Sequence, residues 1–186
     1  MRARALRDSA ASTPAFTAQV RTGATGPDAG ISEIGELIVT EHARILRLFR
    51  ALDDLARRGD SAVARLALSQ VWARLASLLE VHTRAEEEIC FPLVFGSGAS
   101  ALDLVETATA DHDDMREAVA EARLLEVGAA RWWQLISAIH MACAEHFARE
   151  ERGLLAQICG SLPPEKSKVL VRQWAAFAAG QTDNTT

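Results

Sequence analysis

The chain has 186 residues, 49% of them apolar and 24% charged, which suits one domain of roughly 100–200 residues and is too apolar for a disordered chain. No apolar run approaches the roughly 20 residues needed to span a bilayer, so a membrane-spanning helix is not expected. A net charge of −5, with 20 basic and 25 acidic residues spread along the chain, disfavours a nucleic-acid binder, which needs a basic face to neutralise phosphates.

Residues 1–30 are rich in Ala, Ser, Thr and Gly, with Pro14 and Pro27 and few large apolar residues. This composition predicts a disordered or weakly ordered arm. Its Arg-rich, acid-poor start could also mimic a transit peptide.

From Ile31 the pattern turns helical, with apolar residues spaced by three and four. A first segment, about 31–58, carries the stripe Ile34, Ile38, His42, Ile45, Phe49 and Leu52, and stops at Arg57-Arg58-Gly59. Asp60 or Ser61 caps a second, about 61–91, with stripe Val71, Leu75, Leu78, His82, Glu86 and Ile89, ended by Pro92 and a Gly/Ser loop. A third, about 100–127, shows Val105, Ala108, His112, Met115, Val119 and Ala122 before Gly128. A fourth, about 129–159, shows Trp132, Ile136, Ile139, Cys143, His146, Glu150 and Leu154 before Gly160. A shorter helix, about 164–179, follows Pro163-Pro164, and a polar tail closes the chain. Four long amphipathic helices on short connections predict an all-α fold: an antiparallel up-down-up-down four-helix bundle over 31–160, with a short fifth helix in 161–186.

Each apolar stripe is interrupted near its middle by a histidine: His42, His82, His112 and His146. Two of them have a glutamate four residues on, Glu86 and Glu150, a turn away and about 40° round on the same face. With 15 glutamates in 186 residues, one such pair arises for a given histidine with a chance of about 8%, so either motif alone is weak. A histidine at mid-length in all four stripes is the stronger signal. Four imidazoles and two carboxylates should meet at one level of the bundle. An apolar core does not accept two ionised carboxylates without partners. Two divalent cations would compensate them, with imidazoles as neutral ligands and carboxylates between. This donor set suits iron, zinc or manganese, and open positions favour iron with oxygen chemistry.

The segments EHARIL (His42), HTRAEEEICFP (His82 to Pro92), DHDDM (His112) and HFAREERGLL (His146 to Leu155) resemble the hemerythrin-like, or HHE cation-binding, family over about residues 34–158. The resemblance implies two non-haem iron ions, one held by His42 and His82, the other by His112 and His146, with Glu86 and Glu150 bridging. It differs from ferritin-like di-iron bundles, which use lone glutamates with Glu-x-x-His.

Oxygen-carrying members have a second histidine on the third helix and Asp as the last bridge. Here the positions four before and four after His112 are Ala108 and Arg116, and position 150 is Glu. Each iron would keep exchangeable positions. The resemblance then implies reactivity with dioxygen, peroxide or nitric oxide rather than oxygen carriage, with a catalase-like or oxidase-type reaction as its enzymatic form. The alternatives are a non-enzymatic oxygen, redox or iron sensor and a metal-buffering module, working as monomer or homodimer, without nucleic acid or membrane. Cys90, Cys143 and Cys159 form neither a disulfide framework nor a CxxC site, which fits a reducing cytoplasm. Cys90 and Cys143 read as packing residues, Trp72, Trp132 and Trp133 as core or interface anchors, and His140 as a boundary residue. Glu87, Glu88 and Glu151 read as solvated or outer partners of the ligands, and Arg84, Arg116 and Arg149 as surface ion-pair residues.

Overall fold

A computed structural model describes residues 32–183 except Asp60, Gly96 and Ser161; the expected N-terminal arm lies outside the described residues. The described residues form α1 (Glu33–Ala56), α2 (Ala62–Ala85), α3 (Ala99–Arg123), α4 (Ala130–Arg152), α5 (Leu154–Gly160) and α6 (Pro164–Asp183), and contain no strand. α2 runs on through a π-helical turn, Glu86–Cys90, and a 3-10 turn, Phe91–Val94.

Local chemistry accounts for the ends. Ser32 Oγ accepts from the Gly35 N–H and Ser61 Oγ from the Ala64 N–H, each satisfying a donor that the first helical turn leaves over. Gly59 and Gly128, with φ of +91° and +89°, take the left-handed conformation that reverses the chain into α2 and α4. Pro92 has no N–H to donate back into α2, so the helix loosens to a π-turn and tightens to 3-10 before the α3 loop.

The long helices run antiparallel. Thr83 faces Arg116 while Glu80 faces Arg123, and Glu121 faces Arg131 while Asp111 faces Arg149. The expected stripes of α1 and α4 are buried throughout. That of α2 is rotated: Leu68, Trp72, Leu75, Ala76, Leu79, His82 and Glu86 are buried, while Val71, Leu78 and Ile89 are only half-buried, because α6 as well as α1 packs on this helix.

Two extents differ from the sequence reading. The fourth segment is not one helix to residue 159 but breaks at Gly153 into α4 and α5. A Cβ there would stand 3.2 Å from the Arg149 carbonyl oxygen and 3.4 Å from Leu104, so glycine lets α3 approach the break. The C-terminal helix takes in the start of the expected polar tail and ends at Asp183. It is fastened to the bundle: the buried Ser167 Oγ accepts the Ile34 N–H at 2.9 Å, and Leu170 and Trp174 are buried.

The apolar interior divides in two. One cluster, including Phe49, Trp72, Leu75, Trp132, Ile136 and Cys143, fills the end bearing the α1–α2 and α3–α4 turns. The other, including Ile34, Ile38, Phe91, Leu155, Leu170 and Trp174, fills the opposite end. The candidate site lies between them.

Candidate metal centre

His42, His82, Glu86, His112, His146 and Glu150 are each at most 4% exposed and converge from four helices. They form two trios, His42–His82–Glu86 and Glu86–His112–His146, within each of which one ligand atom per residue lies within 4.8 Å of the others. Glu86 is common to both. Its Oε1 is 3.1 Å from His82 Nε2 and 3.6 Å from His42 Nε2, and its Oε2 is 3.3 Å from His112 Nε2. Glu150 belongs to neither trio, yet its Oε2 stands 3.4 Å from His42 Nε2 and 3.6 Å from His146 Nε2, one nitrogen of each. The inward nitrogens of His112 and His146 are 3.0 Å apart.

The outer ring nitrogens face carboxylates in a cyclic order. His42 Nδ1 donates to Glu151 on α4 at 2.8 Å, His112 Nδ1 to Glu87 at 2.8 Å, and His146 Nδ1 to Asp111 on α3 at 3.1 Å. His82 Nδ1 has Glu41 of α1 more loosely, at 3.5 Å. Three of the four histidines are thus held by a carboxylate of a neighbouring helix, while His82 Nδ1 lies near Glu41 without a hydrogen bond. An ionised carboxylate only accepts, so a proton on Nδ1 leaves the inward Nε2 with the lone pair a metal needs.

The sequence reading had Glu87, Glu88 and Glu151 as solvated or outer partners of the ligands, which Glu87 and Glu151 are, and did not single out Glu41 and Asp111. Glu41, Glu87, Asp111 and Glu151 are immediate neighbours of an inward residue. One residue along a helix is about 100° round, which aims the side chain at the seam with the next helix. The run Glu86-Glu87-Glu88 divides accordingly: the first is buried, the second reaches His112 and Arg116, the third is exposed.

Aromatic rings close the centre. Phe147 stacks on His42 with centroids 3.9 Å apart, Phe91 stacks on His112 at 5.6 Å, and Trp174 of α6 meets the ring of His82 at 5.6 Å. Arg116 is held by Glu87 and Asp113, and Arg149 by Asp111, so neither guanidinium faces the inward nitrogens. His140 stacks on Phe49, away from the six. Cys143 lies 3.3 Å from Met115 Sδ, and burial pushes its thiol up to about 12; burial raises the Cys90 thiol as well. Both are buried, and a thiol held protonated is a poor nucleophile.

Protonation in the metal-free centre is uneven. Burial works against charge on His42, but Glu150 and Glu86 outweigh it and raise it to about 10. His112, opposed by burial but facing Glu86 and Glu87, rises to about 9. His146 falls to about 4 through burial and the neighbouring His112. Burial also opposes charge on Glu86, but three imidazoles hold its carboxyl well below the ordinary range. Burial and the charge of Glu86 push Glu150 up to about 7.

The donor set fits metal. His42 Nε2, His82 Nε2, both oxygens of Glu86 and Glu150 Oε2 are buried and make no hydrogen bond. So many unsatisfied polar atoms at one point are costly in an apolar interior, and cations would satisfy them. The family model described as hemerythrin HHE cation binding domain matches residues 33–158, which include all six residues. No curated protein and no solved structure gives a match to the chain.

Proposed function

The chain belongs to the hemerythrin HHE cation-binding family, and from that premise we propose that it is a non-haem di-iron protein whose centre reacts with dioxygen, peroxide or nitric oxide. The observation that carries the reading is the cluster of unsatisfied nitrogens and carboxylate oxygens between two apolar cores. His42 and His82 would hold one iron, His112 and His146 the other, with Glu86 and Glu150 between. When bound, an iron pair supplies electron transfer to and from a small oxygen or nitrogen species.

The chain's own residues do the rest. Glu87, Asp111 and Glu151 fix the ring orientation and tautomer of their histidines. Phe91, Phe147 and Trp174 exclude water from the histidine faces. Ala108 offers no donor atom and Arg116 is committed to its carboxylates. Beyond the six, α3 therefore contributes no inward nitrogen at these positions, which leaves room for an exchangeable ligand and favours peroxide consumption or small-substrate oxidation over oxygen carriage. The unpaired cysteines agree with a reducing cytoplasm.

One observation favours a sensor instead: Trp174 joins His82 to α6, so a change at the centre could move a surface helix. The deciding experiment combines metal analysis with peroxide reactivity. Protein from iron-replete cells should carry close to two irons per chain and evolve oxygen from hydrogen peroxide over many turnovers. One metal per chain, or none, sinks the di-iron reading. Two irons with no turnover supports the sensor.

A further inference from the structure

The seams of the bundle are not packed alike. α1 lies closely along α2, and α3 along α4, but α2 and α3 touch only over a short stretch. Two hollows, both open to solvent, follow the α2–α3 seam and meet at Glu80, Arg84 and Arg123, which border both. One has a floor of Leu79, Met115 and Val119, and the other runs on over Trp72, Ala76 and Ala122, all of them buried. Together they make one trough, apolar below and charged at the rim.

The charge at that rim is uneven. Glu80 spans the seam, with Oε1 3.3 Å from Arg84 and Oε2 3.2 Å from Arg123. Among the described residues neither arginine meets a second carboxylate, so two guanidinium groups share one acid and a positive charge is left over in the middle of the trough. Arg116, further along, has Glu87 and Asp113 to itself. Ion pairs as exposed as those of Glu80 hold weakly and exchange readily. An incoming carboxylate could take from Arg84 and Arg123 the same two-pronged hold that Glu80 has. A neutral or cationic head group would find no such partner.

The shape selects a thin ligand. A docking helix needs large apolar residues at the rim to meet its own. Here the rim bears Ala73, Ser77 and Ala120 beside the charges, and the large side chains lie deep. The most exposed large apolar residues, Leu124, Val63 and Phe95, lie outside the trough. An aliphatic chain can pass between the small residues and reach the floor. From Trp72 to Glu80 the helix rises about 12 Å, about the length of a ten-carbon chain.

We propose that the α2–α3 trough binds a medium-chain aliphatic carboxylate, with its head group between Arg84 and Arg123 and its chain along Trp72, Ala76 and Ala122. This goes beyond the di-iron reading and does not depend on it. Burial of the chain supplies the affinity, and the shared arginines supply the choice of an anion.

The test uses the full chain, titrated calorimetrically with decanoate below its micelle concentration. One decanoate per chain should bind. Acetate, which could reach a metal as readily, and decanol, which has no charge, should each bind at least tenfold more weakly. Arg84→Gln and Arg123→Gln, at positions 48% exposed where folding should not suffer, should each weaken decanoate at least fivefold. Glu80→Gln frees both guanidinium groups and should tighten it severalfold, which an ion pair of purely structural role would not do. Ala73→Phe, at the exposed rim of the Trp72 hollow, should weaken binding, and Ala120→Phe, at the other hollow, should leave it within twofold. The indole signal of Trp72 in NMR spectra, identified by its loss in Trp72→Phe, should shift as decanoate is added. No saturable binding, or native affinity in both arginine variants, overturns the proposal. So does a dimer in sedimentation that decanoate leaves intact and Arg123→Glu splits, since the trough would then be a contact between copies of the chain.

Discussion

Glu151 accepts a hydrogen bond from His42 Nδ1 across the α1–α4 seam at 2.8 Å, while Glu150, its neighbour in sequence, faces the other nitrogen of the same ring. Two adjacent carboxylates on α4 thus grip one imidazole of α1 from both sides. Glu86 and Glu87 treat His112 in the same way from the end of α2.

This grip makes Glu87 and Glu151 positioning residues. Replacing either with Gln keeps the size but weakens the hold on Nδ1, and loss of such outer partners typically costs 10–100-fold in metal affinity. Chelator competition should find that loss in Glu87→Gln and in Glu151→Gln, with the fold intact by circular dichroism. Glu88→Gln, exposed beside them, is the control and should bind like the native protein. Equal affinities in all three would show that the outer carboxylates do not position the rings.

Metal should stabilise the fold. Without it, Glu86 and Glu150 share a buried space, and burial together with the charge of Glu86 pushes the Glu150 carboxyl up to about 7. Binding to the folded state alone raises the melting temperature by mass action, by about 2.7 kcal/mol for free metal at a hundred times its Kd. Calorimetry of chelated and loaded protein should show separate melting temperatures. Coincident melts would place the metal elsewhere.

The pH dependence of the metal-free protein follows from His42 and His112. Their folded values, about 10 and about 9, lie above the ordinary 6.5, so the native state holds protons that the unfolded chain releases. The stability they contribute is complete below about 6.5 and is lost as pH rises through 9 to 10. The same protons compete with metal, which therefore binds more tightly with rising pH over that window and releases protons as it binds. The melting temperature of the chelated protein should fall from pH 6.5 to 10 while the increment due to metal grows. Isothermal titration in buffers of different ionisation enthalpy should count the protons released. A metal-free melting temperature that is flat over this range would mean these imidazoles are not charged in the native state.

Much of the centre was legible because a helix repeats its face every three to four residues: the inward direction of His42, His112 and His146 and the pairing of His82 with Glu86 follow from spacing alone. What spacing misses is the seam. Glu41 and Asp111 look like ordinary surface acids until the neighbouring helix is in place, since their partners are 41 and 35 residues away in the chain. The rotated stripe of α2 has the same origin: α6 covers a face that would be solvated in a bare four-helix bundle. At Gly153 a Cβ would meet both the Arg149 carbonyl oxygen and Leu104 of α3, and the approach of Leu104, far away in the chain, is something no local pattern encodes.

Individual histidines should divide the metal. His42→Ala should lose iron from its half and leave the His112/His146 half loaded, and His146→Ala should do the reverse, because each trio has its own pair of nitrogens. Iron counts near one per chain in both variants, with distinct spectra for the two remaining sites, would fit. Complete loss of iron in both would show that neither half is held alone and that Glu86 couples them.

Ala108→His tests whether the vacant place on α3 is used in chemistry. Position 108 is buried, one turn before His112 on the same helix face, and borders a small cavity of about 40 Å³ that His146 and Glu150 also line. An imidazole there would enter the α3–α4 seam beside His146 and Glu150, where the nearby Asp111 is already paired with Arg149. Position 116 is the poorer choice, since its side chain lies in the seam with Glu87 and Asp113. The new ring should occupy the exchangeable place without displacing His112. Both irons should then remain bound, azide binding should weaken, and peroxide turnover should fall by an order of magnitude or more. The iron count separates this outcome from simple damage to the site, and spectroscopic evidence of a fifth imidazole separates ligation from mere filling. Full turnover with that fifth imidazole in place would mean that the place beside Ala108 is not where peroxide reacts, and the case against an oxygen carrier would lose its support.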